Sequence, residues 1–326
     1  MIQLGSSDVT TPNTKSTIMP SPKIVIFNDT HGWHSQQLVD AFVKYNISVV
    51  LCDLADCCID ITHPTGLHIP GFENKLPAAA LVRGIAPGTL EQITLRMDVL
   101  HTLAELNVPV FNPAKAIEHT VDKARTSLRL HLAGIKTPTT WACENRAVAR
   151  DIAIEQFRQN KTLILKPLFG CQGKGLAKVS TIKEFDRYDA IGDALYLQEY
   201  VDPHDQKQWQ DWRLMVIEGK VCSAMSRHSN HWITNFAQGA MCSATTITDE
   251  MTQLAISATK AVEADYAGVD LIRHQDGHYT VLEVNSIPAW KGLYQATGID
   301  VAGTLAQALV NKINAAPIDT SEHALN

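Results

Sequence analysis

The sequence lacks several features that would point to particular protein classes. No apolar run approaches the roughly 18 residues that a membrane-spanning helix needs. The net charge is −6 and no block of like charges stands out, so there is no electrostatic footprint for nucleic acid. The first 22 residues are rich in Ser, Thr and Pro without the apolar core of a signal peptide, which predicts a disordered leader. We therefore expect neither a nucleic-acid partner nor a membrane partner.

Common ligand-binding motifs are missing as well. The first buried-type strand, KIVIFND from Lys23, is followed by THGWH where a dinucleotide site would have G-x-G-x-x-G. The loop FGCQGKG (169–175) lacks the P-loop pattern G-x-x-x-x-G-K-[ST]. The seven cysteines are odd in number and lack zinc-finger spacing, so we expect core or surface thiols in a reducing, cytoplasmic compartment.

The remaining composition predicts a globular α/β protein. Its 326 residues, 45% hydrophobic and 19% charged, suffice for about two domains. A strand, an amphipathic segment over 35–45 and the strand SVVLCDL form a β-α-β opening, which is typical of parallel sheets. Residues 60–90 are rich in Pro and Gly and predict a loop, and a domain boundary is expected near Pro113. Helices are predicted over 91–106, from Asp122 to a stop at Gly134, and over 146–159, 249–264 and 300–314.

The segment from Ala267 to Pro288 predicts a hairpin of two apolar strands joined through Asp276-Gly277. Asp-Gly is favoured in type I′ turns, which need positive φ at both central residues. If Asp276 and Gly277 are the two turn residues, the residue numbers of each opposed pair add up to 553, which places Gln275 opposite His278. The same register places Asp270 opposite Glu283, and Asn285 shares the face of Glu283 because side chains alternate.

Two facing carboxylates and an amide indicate a cation site. Like charges on opposed strand positions destabilise a sheet, and hard oxygen ligands suit Mg²⁺ or Mn²⁺ held with substrate phosphates. Asp270, Glu283 and Asn285 are therefore the candidate metal ligands, and an ordinary hairpin with a solvated acidic face is the alternative. Removing either carboxylate is expected to raise stability slightly, because it removes the like-charge pair.

A glycine-rich loop lies between two predicted strands, TLILKP and LAKVS. Gly170, Gly173 and Gly175 permit a close backbone approach to a ligand, while Lys166 and Lys174 supply positive charge for phosphates. A tight structural hairpin explains the glycines equally well. Two further strands surround Glu218-Gly219-Lys220, and whether that turn has two or three loop residues stays open. It also stays open whether Arg213 and Arg227 share a face.

In order, these elements resemble the ATP-grasp superfamily, and most closely the RimK-like ligases that join glutamate to an acceptor. The resemblance covers residues 23–314 and rests on Asp-Lys opening a helix, strand-Lys-Gly loop-strand, Gln-Glu-Tyr-Val, Asp-x-Arg, Ser-Arg, and a distant Asp before Glu-x-Asn. It implies an α+β ATP-grasp fold, in which two subdomains clamp the nucleotide. The implied domains are an N-terminal domain (23–115), a central subdomain (116–196), a C-terminal subdomain with the metal site (197–314) and a tail (315–326).

The resemblance also implies residue roles. Lys123 and Lys166 correspond to lysines on the nucleotide phosphates, and residues 169–175 to a mobile lid. The implied nucleotide-site residues also include Glu199, Tyr200 and Val201 around adenine and ribose, with Asp211 and Asn235 nearby. Arg227 corresponds to the arginine that stabilises an acyl phosphate, with Arg213 and Lys166 as further catalytic candidates. Asp270, Glu283 and Asn285 correspond to the magnesium ligands.

The implied function is an ATP-dependent carboxylate–amine ligase that releases ADP and phosphate. The acceptor could be a pterin or deazaflavin cofactor ending in glutamate, a carrier protein or a ribosomal protein tail, and relatives resemble dimers or tetramers. Alternatives are an ATP-grasp phosphotransferase and an inactive nucleotide-binding regulator. Two departures from the family, Pro288-Ala289-Trp290 and a long insertion between Tyr200 and Asp211, concern the acceptor side.

Overall fold

The computed structural model of the protein describes residues 21–170, 173–202 and 209–315. The predicted leader up to residue 20, the tail from residue 316 and most of the 200–211 insertion lie outside these ranges. Within the described ranges, no helix combines the length and the apolar character that crossing a membrane requires. Helices and strands mix throughout, and parallel and antiparallel sheets both occur, which confirms the predicted α/β class.

The N-terminal unit contains a parallel sheet of order β2-β1-β5-β6. Its elements are β1 (Lys23–Phe27), α1 (Trp33–Val43), β2 (Ser48–Cys52), β3 (Cys58–Ile59), β4 (Leu67–His68), β5 (Ala80–Val82), α2 (Leu90–Glu105) and β6 (Val110–Phe111). The prediction of a loop over 60–90 was wrong at β5, a fully buried strand between β1 and β6. Only three residues long, this strand depends on its two neighbours for its hydrogen bonds.

The central unit contains an antiparallel sheet of order β7-β10-β8-β9. Its elements are α3 (Ala114–Val121), α4 (Lys123–Leu132), β7 (Thr140–Cys143), α5 (Arg146–Arg158), β8 (Leu163–Lys166), β9 (Ala177–Val179), α6 (Ile182–Asp186) and β10 (Leu195–Glu199). The Asp122 carboxylate caps α4 by accepting from the N–H groups of Ala124 and Arg125, and the helix ends before Gly134 as predicted. Strands β8 and β9 flank the glycine-rich loop.

The C-terminal unit contains an antiparallel sheet of order β13-β12-β11-β14-β15. Its elements are β11 (Trp209–Ile217), β12 (Lys220–Ser229), β13 (Met241–Ala244), α7 (Asp249–Ala261), β14 (Tyr266–Arg273), β15 (Tyr279–Asn285), α8 (Lys291–Thr297) and α9 (Val301–Ala315). Helix α8, strand β13 and helix α3 were not predicted. One apolar cluster joins this unit to the N-terminal one, because α9 side chains pack with residues of β1 and α1 and with the inner face of β11.

The β14–β15 hairpin differs from the prediction at its turn. The Gly277 N–H donates to the His274 carbonyl, the residues between His274 and His278 form a three-residue loop, and Asp276 lacks a positive φ. The predicted type I′ turn and the pairing of Gln275 with His278 were therefore wrong. A bulge at Leu282 adds one residue to β15, so Asp270 pairs with Glu283 as predicted.

A type I′ geometry occurs instead at the β11–β12 turn. Glu218 and Gly219 both have positive φ, at 47° and 71°, and Ile217 pairs with Lys220. This two-residue turn answers the question that the sequence left open. The register places Asp211 opposite Arg227, so Arg213 and Arg227 lie on the same face of the sheet.

Candidate active site

One cleft between the central and C-terminal sheets collects most of the predicted site residues. Its empty volume is about 1120 Å³, the open mouth included. The predicted residues that line it are Lys123, Lys166, Gly170, Gly173, Lys174, Glu199, Tyr200, Val201, Asp211, Arg227, Asn235, Asp270 and Glu283. Gly175, Arg213 and Asn285 are not among its lining residues, although Arg213 contacts Asp270 directly.

The floor of the cleft is built by cross-strand pairing. Arg213 on β11 pairs with Asp270 on β14, which in turn pairs with Glu283 on β15. Paired residues point to the same face, so a basic and two acidic side chains form a row across the sheet. At the bulge, Leu282 and Glu283 both face the cleft, which shows how an extra residue re-aims a side chain beside a site.

Two arginines and two aspartates form a network on this floor, in which all but the partly exposed Arg213 are buried. Arg227 donates from Nε and Nη2 to the Asp211 carboxylate at 2.6 Å each, and Arg213 holds Asp270 in the same way at 2.7 Å each. Arg227 Nη2 also lies 2.9 Å from Asp270 Oδ2. Burial alone would raise the pKa of Asp270, but the charges of Arg213 and Arg227 lower that pKa below its usual value.

The network leaves donors available to a substrate. A guanidinium has five N–H donors, and in both arginines the Nη1 group takes no part in the carboxylate bonds described above. Arg227 lines the cleft and its side chain is fixed by two carboxylates and by sheet packing. Such a preorganised cation stabilises negative charge that develops during a reaction.

Lys166 is held at the end of β8 by Gln198. Its Nζ donates to Gln198 Oε1 at 2.7 Å, and Gln198 in turn donates to the hydroxyls of Tyr196 and Thr140. Burial lowers the pKa of Lys166 to about 8, with Lys123 adding to the shift and Glu283 opposing it. Lys123 Nζ donates to the Gly170 carbonyl at 2.8 Å, so this lysine connects helix α4 to the glycine-rich loop.

This lowered pKa predicts a pH dependence. Lys166 loses its charge as the pH rises through about 8, so kcat/KM for ATP should fall about tenfold per pH unit above that value. In Lys166→Arg the fall should be absent up to the highest pH at which the protein is folded, because a guanidinium stays protonated. Initial-rate pH profiles check this. If kcat/KM of Lys166→Arg fell above a pH of about 8 in the same way as that of wild type, the phosphate-binding role of Lys166 would be contradicted.

The glycine-rich loop touches the segment that carries Asn235. A Cβ at Gly173 would lie 2.7 Å from Asn235 Oδ1 and 2.8 Å from Ile233 Cγ2, and Gly173 has a φ of +71°. The loop therefore packs over the cleft only with glycine at this position. Cys171 and Gln172 of this loop lie outside the described residues.

Gly173→Ala should weaken ATP binding by about tenfold, because the methyl group pushes the loop off the Asn235 segment. Gly134→Ala is the matched control, since Gly134 has nearly the same φ, +70°, but nothing within 4 Å. The control should lose only about 1 kcal/mol of stability and keep its ATP affinity. Calorimetric titration with a nonhydrolysable ATP analogue measures both. If both variants bound the ATP analogue with equal affinity, the loop would be a structural hairpin without a role in nucleotide binding.

The predicted adenine site lies at the end of β10. The N–H groups of Glu199 and Tyr200 donate to the carbonyls of Thr139 and Thr162, which leaves Val201 as the candidate backbone donor to a base. The Glu199 carboxylate is paired with Lys161 at 3.1 Å, and the Tyr200 hydroxyl accepts from Trp209 Nε1. Only one oxygen of Glu199 takes part in this ion pair, so the other oxygen can accept a hydrogen bond from a ribose hydroxyl.

The residues proposed to bind magnesium fit a hard cation in donor type. In the described part of the chain, no group of three or more His, Cys, Asp or Glu side chains is placed to hold a metal. The candidate ligand set therefore consists of the carboxylates of Asp270 and Glu283 and the amide of Asn285. Asp270 Oδ1 accepts a single guanidinium bond, so it keeps a lone pair. Asn285 Nδ2 is buried without a hydrogen-bond partner among the described residues, so this amide has an unsatisfied donor.

Three supporting residues were not predicted. Gln198 positions Lys166, and its polar side chain in the apolar run LYLQE was a usable signal. The Thr234 hydroxyl donates to Asp211. Asn112, fully buried, bonds to backbone groups of Asp265, Tyr266 and Ser286, so it fixes the β14–β15 hairpin to the N-terminal unit. No local sequence pattern indicates the last two contacts.

Comparison with known proteins decides the family. A model of the RimK-like ATP-grasp domain matches residues 120–309, the region that contains the whole cleft. The chain belongs to the RimK-like ATP-grasp family. The family confirms the predicted enzyme class, an ATP-dependent carbon–nitrogen ligase.

The chain is also similar to individual relatives. A tetrahydromethanopterin:α-L-glutamate ligase of Methanococcus maripaludis is 36% identical over 240 residues, which cover 71% of this chain and 78% of that protein. The enzyme of the same name from Methanocaldococcus jannaschii is 33% identical over 228 residues, covering 67% and 75%. Among solved structures, the ATP-grasp ligase PsnB, complexed with a precursor variant, Mg and ADP, superposes with a TM-score of 0.70 at 21% identity, covering 90% and 99%.

Proposed function

We propose that this protein joins the amino group of glutamate to a carboxylate of an acceptor at the expense of ATP. The observation that carries the proposal is the Arg213–Asp270–Glu283 row with Arg227 at its edge, facing Lys166 and Lys123 across one cleft. The names of the ligase relatives support glutamate as the amine. A small cofactor or a protein tail is the class of acceptor.

The cleft residues support a two-step reaction. Lys123, Lys166 and the glycine-rich loop bind the ATP phosphates, and an acceptor carboxylate oxygen attacks the γ-phosphorus, which releases ADP and forms an acyl phosphate. The amine of glutamate then attacks the acyl carbon, and phosphate leaves. Arg227 and Arg213 stabilise the charge on the acyl phosphate and on the tetrahedral intermediate through their remaining N–H donors.

A divalent cation completes this site. Asp270, Glu283 and Asn285 would hold Mg²⁺, with Mn²⁺ as the alternative, and the bound ion would neutralise charge on the nucleotide phosphates. The PsnB structure named above contains Mg and ADP, which supports this assignment by fold. Free cysteines in the described residues support a reducing cytoplasm as the location, and assembly into dimers or tetramers stays a prediction.

Product analysis tests the proposal. With glutamate and a panel of carboxylate acceptors, ATP should be converted to ADP and phosphate only when both substrates are present, in proportion to amide formed. AMP and pyrophosphate would indicate an adenylate route. Phosphate retained on the acceptor would indicate a phosphotransferase. Either outcome overturns the ligase assignment.

A further inference from the structure

A second group of basic residues lies outside the cleft described above. Arg83 follows β5, at the carboxyl edge of the parallel N-terminal sheet, where its N–H donates to the Phe27 carbonyl. Its guanidinium stacks on the ring of Trp290 at 4.5 Å from the ring centroid. Arg83 is only 9% exposed and Trp290 only 1%. Carboxyl edges of parallel sheets are common ligand sites, so a buried charge at this place calls for an explanation.

The protein does not neutralise this charge. Arg83 Nε and Nη1 are buried without a hydrogen-bond partner, and no ion pair of Arg83 occurs within the described ranges. The Tyr266 hydroxyl interacts with the Arg83 guanidinium, but it is a neutral group that donates its own proton to the Val82 carbonyl. Asp29, which contacts Gly84, makes no ion pair with Arg83 among the described residues. A guanidinium pairs with carboxylates along its Nε–Nη2 edge or its Nη1–Nη2 edge, and each edge here has an open donor.

Of the two other basic residues nearby, Lys291 adds positive charge and His34 does not. His34 Nε2 accepts from the Trp290 N–H at 3.1 Å, so its proton is on Nδ1. Burial, together with Arg83 and Lys291, lowers the pKa of His34 to about 4, which makes His34 neutral near pH 7. Arg83 and Lys291 therefore carry the charge of this group, and His34 and Trp290 supply a polar and an apolar wall.

This group lies next to the reaction centre. A Cβ at Gly268 would lie 2.8 Å from Pro288 Cβ and 3.8 Å from Arg213 Cδ, so Pro288 and Arg213 approach the same side of this glycine. Gly268 itself pairs with Asn285. Trp290 is two residues beyond Pro288, and two residues span at most about 7 Å. The segment Pro288-Ala289-Trp290, which departs from the family pattern, thus connects the proposed metal ligands to Arg83.

We propose that Arg83, with Lys291 beside it, is the subsite for a carboxylate of the substrate that does not react. The inference rests on the proposed ligase function and specifies its substrate class, a dicarboxylate: glutamate itself or an acceptor that ends in a dicarboxylic unit. The ligand enters between the end of β5 and residues 286–291. One of its ends reaches Arg213 and Glu283, while its second carboxylate completes the hydrogen bonds of the Arg83 guanidinium.

Binding measurements test the subsite without turnover. Wild type and Arg83→Met are titrated with L-glutamate, glutarate and inorganic phosphate in the presence of a saturating nonhydrolysable ATP analogue, which keeps phosphate out of the whole nucleotide site, the γ-phosphate position included. We expect at least about tenfold weaker binding of the dicarboxylates in Arg83→Met, with the affinity for the ATP analogue unchanged. The affinity of Arg83→Lys for the dicarboxylates should lie between those of wild type and Arg83→Met. Arg96→Lys is the matched control, because Arg96 is equally buried but already donates to the carbonyls of Ala86 and Pro87.

Each outcome has a defined meaning. Loss of glutamate binding alone assigns the subsite to the amino-acid substrate, and loss of glutarate binding as well assigns it to any dicarboxylic end. The proposal is overturned if neither dicarboxylate binds wild type, if Arg83→Met binds them normally, or if phosphate binding falls as much as dicarboxylate binding. Should Arg83→Met fail to fold, the Arg83→Lys titration decides by the same criteria. Failure of wild type to bind the ATP analogue would instead contradict the proposed function.

Discussion

Glu283→Gln is expected to lower ligase turnover by about a thousandfold or more while changing the free energy of unfolding by less than about 0.5 kcal/mol. Glu283 faces the cleft and makes no ion pair or hydrogen bond with the residues that the structure describes. Its charge therefore contributes little to folding, and a neutral amide is a poor ligand for a hard cation.

Rapid-quench measurement of ADP formation over a magnesium titration checks this expectation. Glu155→Gln, an exposed position on α5, is the control and should behave as wild type. Near-normal magnesium-dependent activity in Glu283→Gln would show that the metal assignment is wrong.

Asp270→Asn should also abolish turnover, but with a loss of stability of about 3–5 kcal/mol. Both Asp270 oxygens accept from guanidinium groups, that of Arg227 buried and that of Arg213 partly buried, so removing the charge leaves Arg213 unpaired and Arg227 with Asp211 alone. The sequence predicted the opposite effect, a slight gain in stability, because it treated Asp270 only as one member of a like-charge pair. Urea unfolding of Asp270→Asn beside Glu283→Gln measures the difference. If Asp270→Asn were as stable as wild type, the Asp270 carboxylate would not be an important counter-charge for the two arginines.

The facing of Asp270 and Glu283 could be predicted from sequence, although one step of that reasoning was wrong. The turn at Asp276-Gly277 has three loop residues where two were expected, which shifts the register by one residue near the turn. The bulge at Leu282 shifts it back before Glu283. Bulges arise from the way a strand twists and packs against its neighbours, so no local pattern in VLEVN indicates one.

Elements with weak local signals escaped prediction for a related reason. Strand β5 is three residues long and follows a stretch rich in Pro and Gly, so only its place between β1 and β6 makes it a strand. The shared face of Arg213 and Arg227 was undecidable because a slip of one residue in the β11–β12 turn would have separated them. Helix α4 and its stop at Gly134 were predictable because capping chemistry is local.

Long-range contacts set the remaining limit. Asn112 bonds to residues more than 150 positions away, and Arg83 stacks on Trp290 across the same junction. Sequence order pointed to Lys123, Lys166 and the acidic hairpin, which the structure brings to one cleft, since these occur in a characteristic succession along the chain. It could not show which N-terminal side chains meet the segment after β15.

Oxygen transfer tests the central claim, activation of a carboxylate by the γ-phosphoryl group, most directly. The acceptor is labelled with ¹⁸O in its carboxylate, and the phosphate released during amide formation is examined by mass spectrometry. Because the acyl phosphate keeps the attacking carboxylate oxygen on phosphorus when the amide forms, one ¹⁸O atom should appear in each phosphate. Unlabelled phosphate, or label in AMP, would contradict this account of the reaction.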